Sequence, residues 1–175
     1  STADLPLARG ANWKGLKTEK YRDFLREQAA EGEEVEAVPN MDKIHRLAND
    51  PNNVLREETT VYFGLSGDKF ANMKEGDTFE ALGMRSTSLD ASRASAYGKD
   101  GAVFGAVLPK GAVAVDNEVL GIRELTLFPG AKFQVVGVSE GVKRLKLLDD
   151  GKTWVNNLHA FQNELDALTR SKHDH

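Results

Sequence analysis

The sequence predicts an α+β domain in which helices come first and a mixed or antiparallel sheet follows. Three observations predict it. The first third carries helical periodicity and cap residues. From Thr59 onward, short β-branched and aromatic runs alternate with Gly, Pro and Asp turns. Only one helix-compatible run, near residues 90–97, interrupts those strands. A doubly wound parallel sheet would need a crossover helix between successive strands.

Taken in order, Thr18 can cap a helix whose apolar face is Tyr21, Phe24 and Leu25, extended by Gln28-Ala29. The charged, Pro-containing "EGEEVEAVPN" ends it. Asn40 is placed to cap a second short helix through Met41, Ile44 and Leu47, and "NDPNN" reads as a turn. The predicted strands are then "TTVYFGLS", "FEALGM", "AVFGAVL", "AVAVD", "ELTLF", "KFQVVGV" and "RLKLL". Turns such as "KEGD", "LPKG", "FPG" and "DDG" separate them. In "TWVNNLHAFQNELDALTR", Trp154, Leu158, Phe161, Leu165 and Leu168 recur at helical spacing and form one apolar stripe. That helix is expected to dock on its own domain, with a packing face for a protein partner over 154–168 as the alternative. The expected organisation is one unit over 1–148, helical to 58 and sheet from 59 to 148. A C-terminal helix and tail over 149–175 complete it.

Composition narrows the functional classes. The chain has 175 residues, 40% hydrophobic and 29% charged, enough for one domain with a real core or one domain plus a helical extension. Its net charge of -4 argues against wholesale coating of nucleic acid, which needs a basic face. There is no cysteine, which excludes a disulfide, a thiolate-bound metal and a thiol nucleophile. No apolar run is long enough to cross a membrane as a helix. The start, "STADLPLARG", lacks a charged-then-apolar signal pattern. It opens without Met, as expected of a processed or excised piece. Phosphate-loop, His-Glu-x-x-His and Gly-x-Ser-x-Gly motifs are all missing. The four histidines show no metal spacing beyond the terminal "HDH", so no metal site is expected.

What remains is a set of polar residues embedded in strands. "VYFGL" (61–65) is an apolar strand containing Gly64. "RSTS" (85–88) puts Ser86, Thr87 and Ser88 at a strand end, just before an Asp-capped, Ala-rich run. "IRELTLFPGAKFQV" (122–135) places Glu124 in a strand that runs into a tight Pro-Gly turn. Singly, each has an ordinary structural explanation. Strand-edge serines pair across strands, and an edge carboxylate is usually solvated.

Together, in this order, they resemble the mono-ADP-ribosyltransferases of the Arg–Ser–Glu class, which includes bacterial toxins and phage transferases. "GDTFEALGMRSTSLDASRASAYG" is similar to that family's Ser-Thr-Ser strand and following helix. "AVFGAVLPKGAVAVD" is similar to its next strand and Pro-Lys-Gly turn. "IRELTLFPGAKFQVVGV" is similar to its Glu-x-Glu strand, Pro-Gly turn and Lys-Phe-x-Val strand. The resemblance covers residues 59–138 and leaves the tail helix outside. It departs at two places. Phe63 stands where the family has the Arg that holds the phosphates of NAD+, and a phenyl ring cannot make paired bonds to phosphate. Ile122 stands at the first Glu of Glu-x-Glu. Arg85, Arg56 and Arg123 are the neighbouring cations that could replace the missing one.

The resemblance implies an ADP-ribosyltransferase fold of two packed sheets and NAD+ as substrate. It implies Glu124 and Ser86 as catalytic residues, with Ser86, Thr87, Ser88, Gly64 and Arg85 along the cofactor. Glu124 would bond the ribose 2′-OH as positive charge develops, and Ser86 would orient it. The implied acceptor is macromolecular, a protein, and the implied setting is a secreted, injected or virion-associated effector. Two rivals stand beside this. One is an NAD+ glycohydrolase of the same fold, since Ile122 presents no polar group. The other is a degenerate domain kept for binding or assembly. Tyr62, Phe63 and Tyr97 are read as core.

Overall fold

The computed structural model describes residues 7–174, and it has the predicted α+β order. Helices α1 (Trp13–Leu16), α2 (Glu19–Ala30) and α3 (Met41–Ala48) precede β1 (Thr59–Leu65). Then come α4 (Asp68–Ala71), β2 (Thr78–Glu80), β3 (Arg85–Ser88), α5 (Ala91–Ala94) with a 3-10 turn at Ser95–Tyr97, and β4 (Ala102–Leu108). Strands β5 (Val115–Val119), β6 (Ile122–Leu127), β7 (Ala131–Ser139) and β8 (Val142–Asp150) lead into α6 (Lys152–His173). The one-turn helices α1 and α4 carry too short a periodic pattern to be read from sequence.

Local chemistry explains most boundaries. Thr18 caps α2, its side chain accepting from the Tyr21 N–H. Asn40 does not act as the expected cap. It takes the left-handed conformation (φ 59°) and makes no side-chain cap bond, so it turns the chain rather than satisfying the helix. The "FPG" segment closes a tight turn, with Gly130 at φ 91° and the Ala131 N–H bonded to the Phe128 carbonyl at 3.2 Å. "AVAVD" forms a strand only from Val115, because Val113 pairs with Val54 through an isolated bridge.

The eight strands run in the order β2-β7-β8-β4-β1-β3-β6-β5. Most pairs are antiparallel, while β4 and β8 run parallel, so the sheet is mixed. The β1–β3 ladder consists of one pair, Tyr62 with Ser88. That joint divides the sheet into a five-stranded and a three-stranded part, which fold onto a shared core. Val61, Phe63, Phe104, Phe133 and Leu145 come from one part, and Leu125 and Leu127 from the other. A second core joins α2, α3 and α6 to Val115 and Phe128. The stripe on α6 faces this second core. Leu158, Phe161 and Leu165 are buried, with Trp154 and Leu168 packed beside them. The helix therefore docks on its own chain, with the guanidinium of Arg22 4.4 Å above the Phe161 ring.

Candidate active site: a row of side chains across the sheet junction

Cross-strand register brings the candidate residues together. Residues directly paired in a sheet share a face, and so do residues two apart along a strand. Ser88 pairs with Glu124, and Ser86 with Thr126. Glu124 also pairs with Asn117 of β5, and Ser88 with Tyr62 of β1. Tyr62 pairs with Gly105 of β4, which pairs with Arg144 of β8. One continuous row thus runs Arg144–Gly105–Tyr62–Ser88–Glu124–Asn117 across six strands, and Ser86 lies on the same face.

Glu124 is half-buried, and among the described residues its carboxylate makes no hydrogen bond or ion pair. Its direct neighbour is Ser88, while Ser86 sits one diagonal away, opposite Thr126. Ser86 is exposed, so its hydroxyl is open to a ligand. The Ser88 hydroxyl accepts the Asp90 N–H at 3.0 Å, which ties the strand end to the cap of α5. Asp90 in turn accepts from the Ser92 N–H at 2.9 Å and the Ser92 hydroxyl at 2.8 Å. These bonds hold the Asp90 carboxyl below the usual range. The junction at Ser-Thr-Ser is therefore both a helix start and the edge of a polar row.

The other predicted residues fall elsewhere. Thr87 points to the reverse face. It is buried and donates to the Leu125 carbonyl at 2.6 Å, so it braces β3 on β6 and does not meet a ligand. Arg85 shares that reverse face. It is half-buried, has no partner among the described residues, and burial holds its guanidinium below the usual range. Gly64 lies on the candidate face, but the chain covers it. A Cβ there would collide with the Ala94 carbonyl oxygen and the Gly98 nitrogen. Gly64 thus lets the α5 segment sit directly on β1.

Phe63 is a core residue at 4% exposure, its ring 5.6 Å from those of both Phe104 and Phe133. It faces away from Glu124. Of the three alternative cations, Arg123 is held on the reverse face by Asp116, with Nη2 2.9 Å from Oδ2, which raises its pKa. Arg56 is exposed and precedes β1. Ile122 does share the face of Glu124, two residues before it. Tyr62, read from sequence as core, is a member of the row, as are Asn117, Gly105 and Arg144. No local motif marks these four. Only the pairing register could have revealed them.

A groove of about 900 Å³ lies elsewhere, between segment 34–46 and α6, and none of the row residues lines it. It is a seam of the helical layer, and the chemistry favours the row. Among the described residues no group of three metal-ligating side chains occurs. His173 of the terminal "HDH" lies 2.7 Å, ring nitrogen to oxygen, from the Gly32 carbonyl, and His175 lies outside the described residues.

No family model and no curated protein matches the chain. Among solved structures it is similar to C3larvin toxin, an ADP-ribosyltransferase from Paenibacillus larvae. That match has 20% identity over 76% of this chain and 86% of that one, with a TM-score of 0.45. It is similar to exoenzyme S from Pseudomonas aeruginosa, solved with human 14-3-3 protein beta and carba-NAD. There the identity is 20%, the coverage 81% and 72%, and the TM-score 0.45. C3stau2 from S. aureus, solved with NAD, is similar at 16% identity, over 81% and 77% of the two chains, with a TM-score of 0.48. Such distant likenesses transfer no residue roles, so the chemistry rests on the row itself.

Proposed function

We propose that this chain cleaves the nicotinamide–ribose bond of NAD+ and passes the ADP-ribose to an acceptor, as a mono-ADP-ribosyltransferase-like effector. One observation carries the reading. Ser86, Ser88 and the unpaired carboxylate of Glu124 share one face of adjacent, fully registered strands. The departing nicotinamide takes the electron pair of the broken bond and leaves neutral, while positive charge develops on the ribose. A carboxylate bonded to the ribose 2′-OH stabilises that charge more strongly in the transition state than in the ground state. Glu124 fills this role, and the hydroxyls of Ser86 and Ser88 position the ribose beside it. The acceptor is a protein nucleophile, and the setting a secreted or injected effector.

One feature favours water as the acceptor, which would make the chain an NAD+ glycohydrolase. Ile122 lies on the Glu124 face and cannot hydrogen-bond or take a proton. The β5–β6 connection before it is only Leu120–Gly121, so little chain is present there to present a macromolecular acceptor.

Nicotinamide release from NAD+, measured for the chain and for Glu124→Gln, tests the core of the proposal. Glu124→Gln is expected to lower the rate by about 100-fold or more. Equal rates in the two proteins, or none in either, would sink it. Retention of label on added protein, against free ADP-ribose, separates transfer from hydrolysis.

A further inference from the structure

We infer that Arg144 forms an anion subsite for the diphosphate of the dinucleotide, at the end of the row opposite Glu124. The inference rests on the NAD+ reading above for the identity of the ligand, but its geometry is independent of it. Arg144 pairs with Gly105, and Gly105 with Tyr62, so all three share the Glu124 face. The two long side chains lean over the glycine. A Cβ on Gly105 would lie 3.0 Å from Tyr62 Cε1 and 3.1 Å from Arg144 Nη1. The guanidinium carbon sits 6.0 Å from the Tyr62 ring centroid. The charge is therefore carried off β8 toward the middle of the row. Glu124 lies two strand spacings beyond Tyr62, about 10 Å between backbones, so side chains reaching inward from the two sides can flank one dinucleotide.

The guanidinium is also aimed and incompletely used. Its Nε donates to the Ser139 hydroxyl at 2.9 Å, which fixes the plane of the fork. Its Nη2 lies 3.5 Å from the Ser139 carbonyl oxygen and 3.7 Å from the carboxylate of Glu140, itself 88% exposed and weakly screening. Nη1, the nitrogen over Gly105, has no acceptor among the described residues. A held, half-exposed guanidinium with a free donor above a side-chain-free floor suits a phosphate oxygen. Neither Arg85 nor Arg123 can do this from the reverse face. The cation that the sequence lacks at position 63 is in this reading supplied from β8, and Phe63 is free to remain in the core.

Calorimetric titrations with NAD+, nicotinamide riboside and inorganic pyrophosphate, for the chain and for Arg144→Gln, test this. The variant is expected to bind NAD+ and pyrophosphate about 10- to 100-fold more weakly and nicotinamide riboside unchanged, and Arg144→Lys is expected to recover part of the loss. Should Arg144→Gln fail to fold, Gly105→Ala, whose methyl crowds Nη1, is expected to give the same selective loss. Unchanged NAD+ affinity, or an equal loss for the riboside, overturns the subsite while leaving NAD+ as substrate. If the unaltered chain binds pyrophosphate through Arg144 but neither NAD+ nor the riboside, the NAD+ reading fails and the subsite stands. If it binds neither pyrophosphate nor NAD+, both fall.

Discussion

Phe63 shows how a position can invite a functional reading and have a packing role. The resemblance puts a phosphate-binding cation there, yet the ring is enclosed by Phe79, Phe104 and Phe133, on the face away from Glu124. A cation at 63 would have no water and no counter-charge. Phe63→Arg is therefore expected to destabilise the fold by about 3–5 kcal/mol or more, not to restore a site. The unfolding midpoint of the variant would fall by about 10 °C or more, or the protein would be insoluble. A soluble Phe63→Arg protein of unchanged midpoint with faster nicotinamide release would contradict this. Thr87 illustrates the same separation within one triplet. Its neighbours face the row, while its own hydroxyl is spent on the Leu125 carbonyl.

At the scale of elements, α6 is the clearest case. Its stripe, read from spacing alone, has two possible partners, and packing selects the chain's own α2 and α3. Val155, Leu158, Phe161 and Leu165 are all at 2% exposure or less. Burying each is worth about 1.5–3 kcal/mol, and the four together rival the net stability of a whole domain. Removing residues 152–175 is therefore expected to yield an aggregating or unfolded product. Soluble expression with native-like cooperative unfolding would refute that. The α5 segment is the opposite kind of element. It is a single turn that could not persist alone. It is held by the Asp90 cap at one end and by the absence of a side chain at Gly64 beneath it. Its role is to fix the end of the Ser-Thr-Ser strand.

At the scale of the whole molecule, the packing of α3 on α6 is coupled to pH through a histidine pair. The rings of His45 on α3 and His159 on α6 stack at 3.7 Å and 6°. His159 Nε2 lies 3.2 Å from Asp42 Oδ1. Burial, and then the charge of His159, holds His45 below the usual imidazole range, with Asp42 partly opposing. A folded-state pKa below the unfolded one means the folded chain binds fewer protons. The stability is then complete above the unfolded value, about 6.5, and is lost as pH falls below it toward the folded value. The midpoint is expected to drop as pH falls from about 7 to 5, and His45→Gln to flatten that slope. An identical slope in the variant would show that other groups set it.

The α+β class, the order of the main elements, most turns, the α6 stripe and the Ser-Thr-Ser and Glu124 strands are legible in the sequence. These follow from local causes: periodicity, caps, β-branched runs and turn residues, each readable within a few positions. Which strands are neighbours, and in what register, is set by long-range packing. A slip of one residue would turn every side chain to the other face. Register is what set Ser88, and not Ser86, directly opposite Glu124, turned Phe63 inward, sent Arg85 and Arg123 to the reverse face, and brought Arg144 to Tyr62 over Gly105. Arg144 and Tyr62 are far apart in the chain. Their meeting depends on long-range pairing through β4, which no local pattern encodes.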